Sequence, residues 1–186
     1  MVLTTMPIIT DYVVDGYREC KEPIIKSIED CLCPVCKKGI LKNRSHVRRH
    51  IRKEDTGEKE WYWIPLGKCD NTDCKAMRRL LPAFMVPYKH YEEEAIADVL
   101  DEVITEESPI DYPGIQTMRR WIAWFLHNKD RIEGVFRNAG YQILGLGEGF
   151  LLNSENLLDR LKLKTDNWFR ITVRFIYNSG HRLLPL

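Results

Sequence analysis

No apolar run in these 186 residues approaches the roughly 20 needed to span a bilayer. Met1 to Tyr12 offers neither a basic leader nor a long apolar stretch, so no secretory signal is expected. These absences point to a soluble protein of the reducing cytoplasm. Six cysteines there are better read as metal-binding thiolates than as a disulfide framework. A net charge of one sign is also missing: 28 Lys and Arg against 27 Asp and Glu leave +1. Excess charge therefore does not announce a nucleic-acid partner, and only its distribution can. The signatures of common enzymes are lacking too, with no P-loop, no Gly-x-Ser-x-Gly and no His-Glu-x-x-His. Metal-dependent cutting of DNA needs clustered carboxylates. Beyond residue 128 the acids Asp130, Glu133, Glu148, Glu155, Asp159 and Asp166 are scattered. The chain reads as non-enzymatic.

What is present begins with four cysteines. Cys33-Pro-Val-Cys36 and Cys69-Asp-Asn-Thr-Asp-Cys74 stand roughly thirty residues apart. Between them, 40–53 and 59–68 read as two strands joined by turn chemistry at Asp55-Thr56-Gly57-Glu58, with Pro65 marking an edge or a break. Two short-spaced thiolate pairs brought together by a hairpin give zinc its tetrahedron. With all four positions filled, one Zn²⁺ would be structural and would hold a sheet too small to be stable alone. The competing set uses His46 and His50 with the first pair. Only nine residues separate Cys36 from His46, where fingers use about twelve. Four residues along a strand also place the two rings about 13 Å apart. That set would leave Cys69 and Cys74 unused; Cys20 and Cys31 read as bystanders.

Charge is partitioned along the chain. Lys42, Arg44, Arg48, Arg49, Arg52 and Lys53, with His46 and His50, fall in a stretch without acids. Residues 92–107 carry eight acids and neither Lys nor Arg. A cationic ribbon pinned by zinc can follow a phosphate backbone and release counterions. Trp61, Tyr62 and Trp63 on the paired strand serve either as cover for a thin ribbon or as a surface for stacking bases. Arg78 to Leu81 suggests a third short strand.

After Pro82 the period becomes helical. Ala95, Ile96, Val99, Leu100, Val103 and Ile104 predict a helix over 91–105. A second helix over about 115–128 would bury Met118, Trp121, Ile122, Phe125 and Leu126. Gln116, Arg120, Ala123, Trp124 and His127 would then face outward, with Thr117 and Arg119 at the flanks. Gln, Thr and paired Arg in a first turn suit a helix that reads bases, although an ordinary surface helix carries the same types. The pattern continues through Val135-Phe136, then reaches glycines at 145, 147 and 149. A helix capped by Asn153 or Ser154 and a last helix from about Asp166 follow, the latter burying Trp168, Ile171, Phe175 and Ile176, with Gly180 after its end. Their aromatic stripes read as core or as a homodimer face.

The Cys33-Pro-Val-Cys36 knuckle, the basic hairpin, Cys69 and Cys74, Arg78-Arg-Leu-Leu-Pro82, Val86-Pro-Tyr-Lys-His-Tyr91 and Thr117-Met-Arg-Arg-Trp121 together resemble a bacterial mobile-element family. They are similar to the zinc-ribbon plus helix-turn-helix front end of insertion-sequence transposases and to a related stand-alone family; Asn178-Ser-Gly-His181 adds a looser match. The second cysteine pair has four intervening residues where that family uses two, and Thr105 to Gly114 is longer than a standard helix-turn-helix turn. The resemblance implies an α+β chain: an N-terminal extension (1–30), a zinc ribbon (31–88), a helix-turn-helix-like region (89–128) and a helical C-terminal region (129–186). It implies a DNA-binding regulator or accessory factor of mobile-element or phage origin. Its DNA contacts would be Arg44, Arg48, Arg49, Arg52, Lys53, Gln116, Thr117, Arg119 and Arg120. A zinc-ribbon adaptor that docks proteins, or a degenerate transposase fragment, remains the alternative.

Overall fold

In the computed structural model the described residues are 6–53, 56–108, 113–144 and 156–186. They form a mixed α+β fold, a curled six-stranded sheet with four helices. The predicted hairpin is its spine. β4 (Leu41–Arg52) and β5 (Lys59–Cys69) pair antiparallel from Leu41↔Cys69 to Arg52↔Lys59. Gly57 takes a left-handed φ of 67° in the turn, where a residue with a Cβ would be strained. A register shift between Asn43 and Ser45 leaves Arg44 in a bulge.

β5 is central, not an edge, and it runs through Pro65. β6 (Met77–Pro82) bonds β5 at Leu66–Lys68, and β3 (Pro23–Ser27) meets it at Trp63. Pro65 falls between these two stretches, where a residue without an N–H breaks no ladder bond there. The first thirty residues, expected as an N-terminal extension, supply three strands to this sheet. β1 (Ile8–Thr10) lies parallel to β6, and β2 (Tyr12–Tyr17) forms a hairpin with β3.

The predicted helix over 91–105 is shorter. α1 spans Glu93–Leu100, with Glu102 in a left-handed conformation at φ 60°. Asp98, Asp101 and Glu102 sit at the negative end of the helix dipole, with no base in the last turn to offset them. The second helix is longer than 115–128: α2 is continuous over Ile115–Leu144. α3 spans Leu157–Lys164 and α4 spans Trp168–Asn178. Asn153, Ser154 and the glycines at 145, 147 and 149 lie outside the described residues. Asn156 caps α3 through Leu158 and Asp159, and Glu133 of α2 accepts the N–H groups of Leu157 and Leu158. α4 begins after Asn167 rather than Asp166, and no side chain caps it.

The helices close over one core containing Met118, Trp121, Phe125, Ile132, Trp168, Phe169, Val173 and Ile176. The aromatic stripe of α4 is thus core, although Ile171, expected inside, is 42% exposed. A second core beneath the sheet gathers Ile25, Ile51, Tyr62, Ile64, Leu81 and Met85. No described helix is long and apolar enough to cross a membrane.

Candidate metal centre and basic surface

The base of the hairpin carries the four predicted cysteines. Cys33, Cys36, Cys69 and Cys74 place their sulfurs within 4.8 Å of one another. Cys33 and Cys74 are 3.8 Å apart and Cys36 and Cys69 are 3.6 Å apart. A tetrahedron with metal–sulfur bonds of 2.3 Å has edges of about 3.8 Å, so the set matches the size a tetrahedral ion requires. Four thiols in this arrangement could hold a metal ion.

Two loops make the cluster. In the first, the Lys37 N–H returns to the Cys33 carbonyl and the Cys33 N–H reaches the Gly39 carbonyl. Backbone N–H groups of Gly39 and Lys38 hold the Cys36 thiol down to about 6. In the second, the Cys74 N–H donates to the Asn71 carbonyl, while burial pushes Cys69 up to about 12. Asp70 ties the loops together: its Oδ1 accepts the Ile40 N–H at 2.7 Å, and its own N–H donates to the Ile40 carbonyl. A divalent cation would favour thiolate at all four positions.

Gly39 is required by this approach. A Cβ there would stand 2.6 Å from Cys69 Sγ and 2.7 Å from Asp70 Oδ1. Gly39→Ala should therefore weaken metal affinity by about 10- to 100-fold, the scale of a damaged supporting shell. Competition with a chromophoric chelator reads this directly; unchanged affinity would show that the loops have room to spread.

The histidine set does not form. His46 Nε2 lies 3.2 Å from the Ile25 carbonyl, and His50 stacks on His90 with ring centres 4.6 Å apart. Cys31 is buried beside the cluster, its thiol 3.7 Å from the Glu29 carbonyl, and Cys20 is exposed.

The basic run is largely spoken for. Arg48 is paired with Glu22, whose carboxyl it holds below its usual range, and lies 3.9 Å over the Trp61 ring. Lys53 bridges to Glu60 at 2.9 Å and Glu92 at 3.3 Å. Arg52 donates to the Gly57 carbonyl, and Arg49 donates to those of Val86 and Lys89. Of that run, Arg44 is exposed on its bulge without an ion pair among the described residues. Trp61 and Trp63 cover the ribbon beneath Arg48 and Arg18, and the Trp63 indole donates to Glu22.

On α2 the predicted face is rotated. Trp124 is buried, while Ile122 and Leu126 are exposed. Gln116 and Arg120 face solvent and Thr117 is half-buried, but Arg119 forms a two-bonded pair with Glu106 at 2.6 and 2.7 Å. The described residues do not display a helix-turn-helix: the acidic α1 has only eight residues, and Pro109 to Tyr112 of its connection to α2 lie outside them.

Arg44, expected as a DNA contact, stands among four further cations that the sequence did not single out. Lys37 and Lys38 follow Cys36, and Arg44, Lys68 and Lys75 line a concavity beside Cys69 and Cys74. All five are exposed, and none has an ion-pair partner among the described residues. Their signal was the register: Lys42 faces Lys68 across the hairpin.

Residues 33–121 match a family model described as a domain of unknown function, DUF6431. That span starts at the first cysteine of the cluster and ends in the second turn of α2. No curated protein and no solved structure matches the chain.

Proposed function

We propose that the chain is a zinc-stabilised, non-catalytic DNA-binding protein, a regulator or accessory factor of the mobile-element kind. The four cysteines are its Zn²⁺ ligands. The observation that supports DNA as the partner is the collar of five cations, Lys37, Lys38, Arg44, Lys68 and Lys75, around the cysteine cluster, none with an ion-pair partner among the described residues. Charges that already face an internal carboxylate have little to offer a phosphate; free ones release counterions on binding. The collar replaces the middle of β4 as the main contact surface in this reading, with Gln116 and Arg120 of α2 in reserve for bases.

A salt titration of duplex binding tests it. Each collar residue changed to Ala, Arg44 and Lys68 first, should reduce the slope of log affinity against log salt by about 0.9. Arg48→Ala and Lys53→Ala should reduce it less, because Glu22, Glu60 and Glu92 already oppose those charges. Absence of duplex binding at low salt would overturn the reading in favour of an adaptor. One observation favours that second reading: Ile28, Leu32 and Val35 are each more than half exposed next to the first cysteine loop, and apolar side chains gathered on a surface fit protein docking.

A further inference from the structure

We propose that the cavity between the inner face of the sheet and the Pro87–His90 turn binds a phosphate group. The cavity measures about 290 Å³ and shares no residue with the cationic collar, so it stands or falls independently of the DNA reading.

Register builds the site. Val47 faces Ile64, Arg49 faces Tyr62, and Arg79 faces Leu66, so strand alternation puts Val47, Arg49, Ile64, Arg79 and Leu81 on one face. Val47, Ile64 and Leu81 make an apolar floor from which two guanidinium groups rise. Tyr88 and His90 of the turn, with His50, complete the lining.

Among the described residues no carboxylate lines the cavity. Arg48, at the rim, is answered by Glu22, but Arg49 and Arg79 have no acid partner among the described residues. Arg49 gives two N–H groups to the carbonyls of Val86 and Lys89, and its buried Nε–H has no acceptor. Burial, and then the charge of Arg79, pull its pKa down to about 10, so it remains a cation at neutral pH. A structural staple for the turn would account for Arg49 alone. It does not account for the second guanidinium that lines the same cavity, and an anion seated between the two would answer both charges. A planar fork of donors is the arrangement that suits phosphate oxygens.

The rest of the lining agrees. His50 and His90 stack at 14°, with His90 Nδ1 3.4 Å from the His50 carbonyl, and the His50 ring can offer an N–H without carrying charge. Tyr88 holds a left-handed φ of 63° while half exposed. Such a conformation is costly for a residue with a Cβ, and it is found at ligand clamps. The volume lies at the low end for small-molecule sites, which suits a phosphate carrying a small group or one phosphate of a longer chain.

NMR titration of the full-length protein tests this, following the His50 and His90 ring resonances. Three probes are added in turn: inorganic phosphate, adenosine 5′-monophosphate and a short DNA duplex. Saturable shifts with the first two, weakened about tenfold or more by Arg79→Ala, would assign a free phosphate compound. The same shifts with the duplex alone, also lost in Arg79→Ala, would assign a backbone phosphate. Arg79 is exposed, so its replacement leaves the fold intact, whereas Arg49 variants lose the turn. Tyr88→Gly should raise the melting temperature and weaken binding together, a combination that a purely structural turn would not give. No ring shifts with any probe, or shifts that Arg79→Ala leaves unchanged, would overturn the proposal.

Discussion

Cys74→Ser is expected to abolish stoichiometric zinc and to unfold the base of the hairpin. Structural zinc in comparably small modules contributes on the order of 10–16 kcal/mol at neutral pH, and whole domains are stable by only about 5–15 kcal/mol. Loss of one thiolate therefore removes an amount comparable with the entire margin. The damage has a definite address. Cys69 is the register partner of Leu41, and the Asp70 backbone and side chain bond Ile40, so release of the second loop frees the start of β4. Cys33, Cys69 and Cys74 also form part of a small apolar cluster with Ile8, Leu41 and Leu80, which ties β1 and β6 to the same point. Metal analysis of purified protein should give one zinc per wild-type chain and none per variant, with proteolysis of the variant beginning near residues 36–44. Cys31→Ser is the control. Its thiol touches the Glu29 carbonyl and lies outside the four-sulfur group, so metal content should not change. A folded Cys74→Ser protein retaining a full equivalent of zinc would overturn the ligand assignment.

The features that could be read in advance are those encoded within a few residues. The cysteine pairs, the hairpin between them, the third strand and the helical period after Pro82 all follow from spacing or alternation. What stayed hidden depended on residues far apart in sequence. Glu22 neutralises Arg48 across 26 positions, and Glu92 takes Lys53 across the sheet, so a basic run that looked free is internally compensated. The face of α2 was misjudged because of a partner likewise distant in sequence. Its inward positions are Met118, Trp121, Phe125, Asn128, Ile132 and Val135, a regular three-four alternation with a polar residue in the middle. Asn128 hides the pattern because its role is supplied from the opposite end of the chain. Its amide donates to the Leu184 carbonyl and accepts the Leu184 N–H at 2.7 Å. Once the seam includes Asn128, Trp124 turns inward, where the Lys89 ammonium lies 4.1 Å over its ring.

A second asparagine carries the largest expected effect outside the metal loops. β1 has only three residues, and its central Ile9 is almost fully buried. β6 pairs with β1, and the Asn178 amide at the end of α4 supplies what a further strand would. The Ile9 N–H donates to Asn178 Oδ1 and Asn178 Nδ2 donates to the Ile9 carbonyl, both at 2.8 Å. Asn178→Ala removes both partners and strands two buried backbone groups, at about 1–3 kcal/mol each. A total loss of about 2–6 kcal/mol should lower the melting temperature of a chain this size by roughly 4–24 °C. Asn178→Asp separates the two bonds. Its carboxylate can accept from the Ile9 N–H but cannot donate to the carbonyl, whereas the protonated acid can do both. The folded state of this variant therefore binds the proton more tightly than the unfolded chain, and its aspartate pKa is raised above the unfolded value of about 3.9. Its stability relative to wild type should accordingly recover as pH falls through that raised pKa and level off below about 3.9. A relative stability that is flat with pH, or that declines as acid is added, would mean that the amide does not serve as the outer strand of β1.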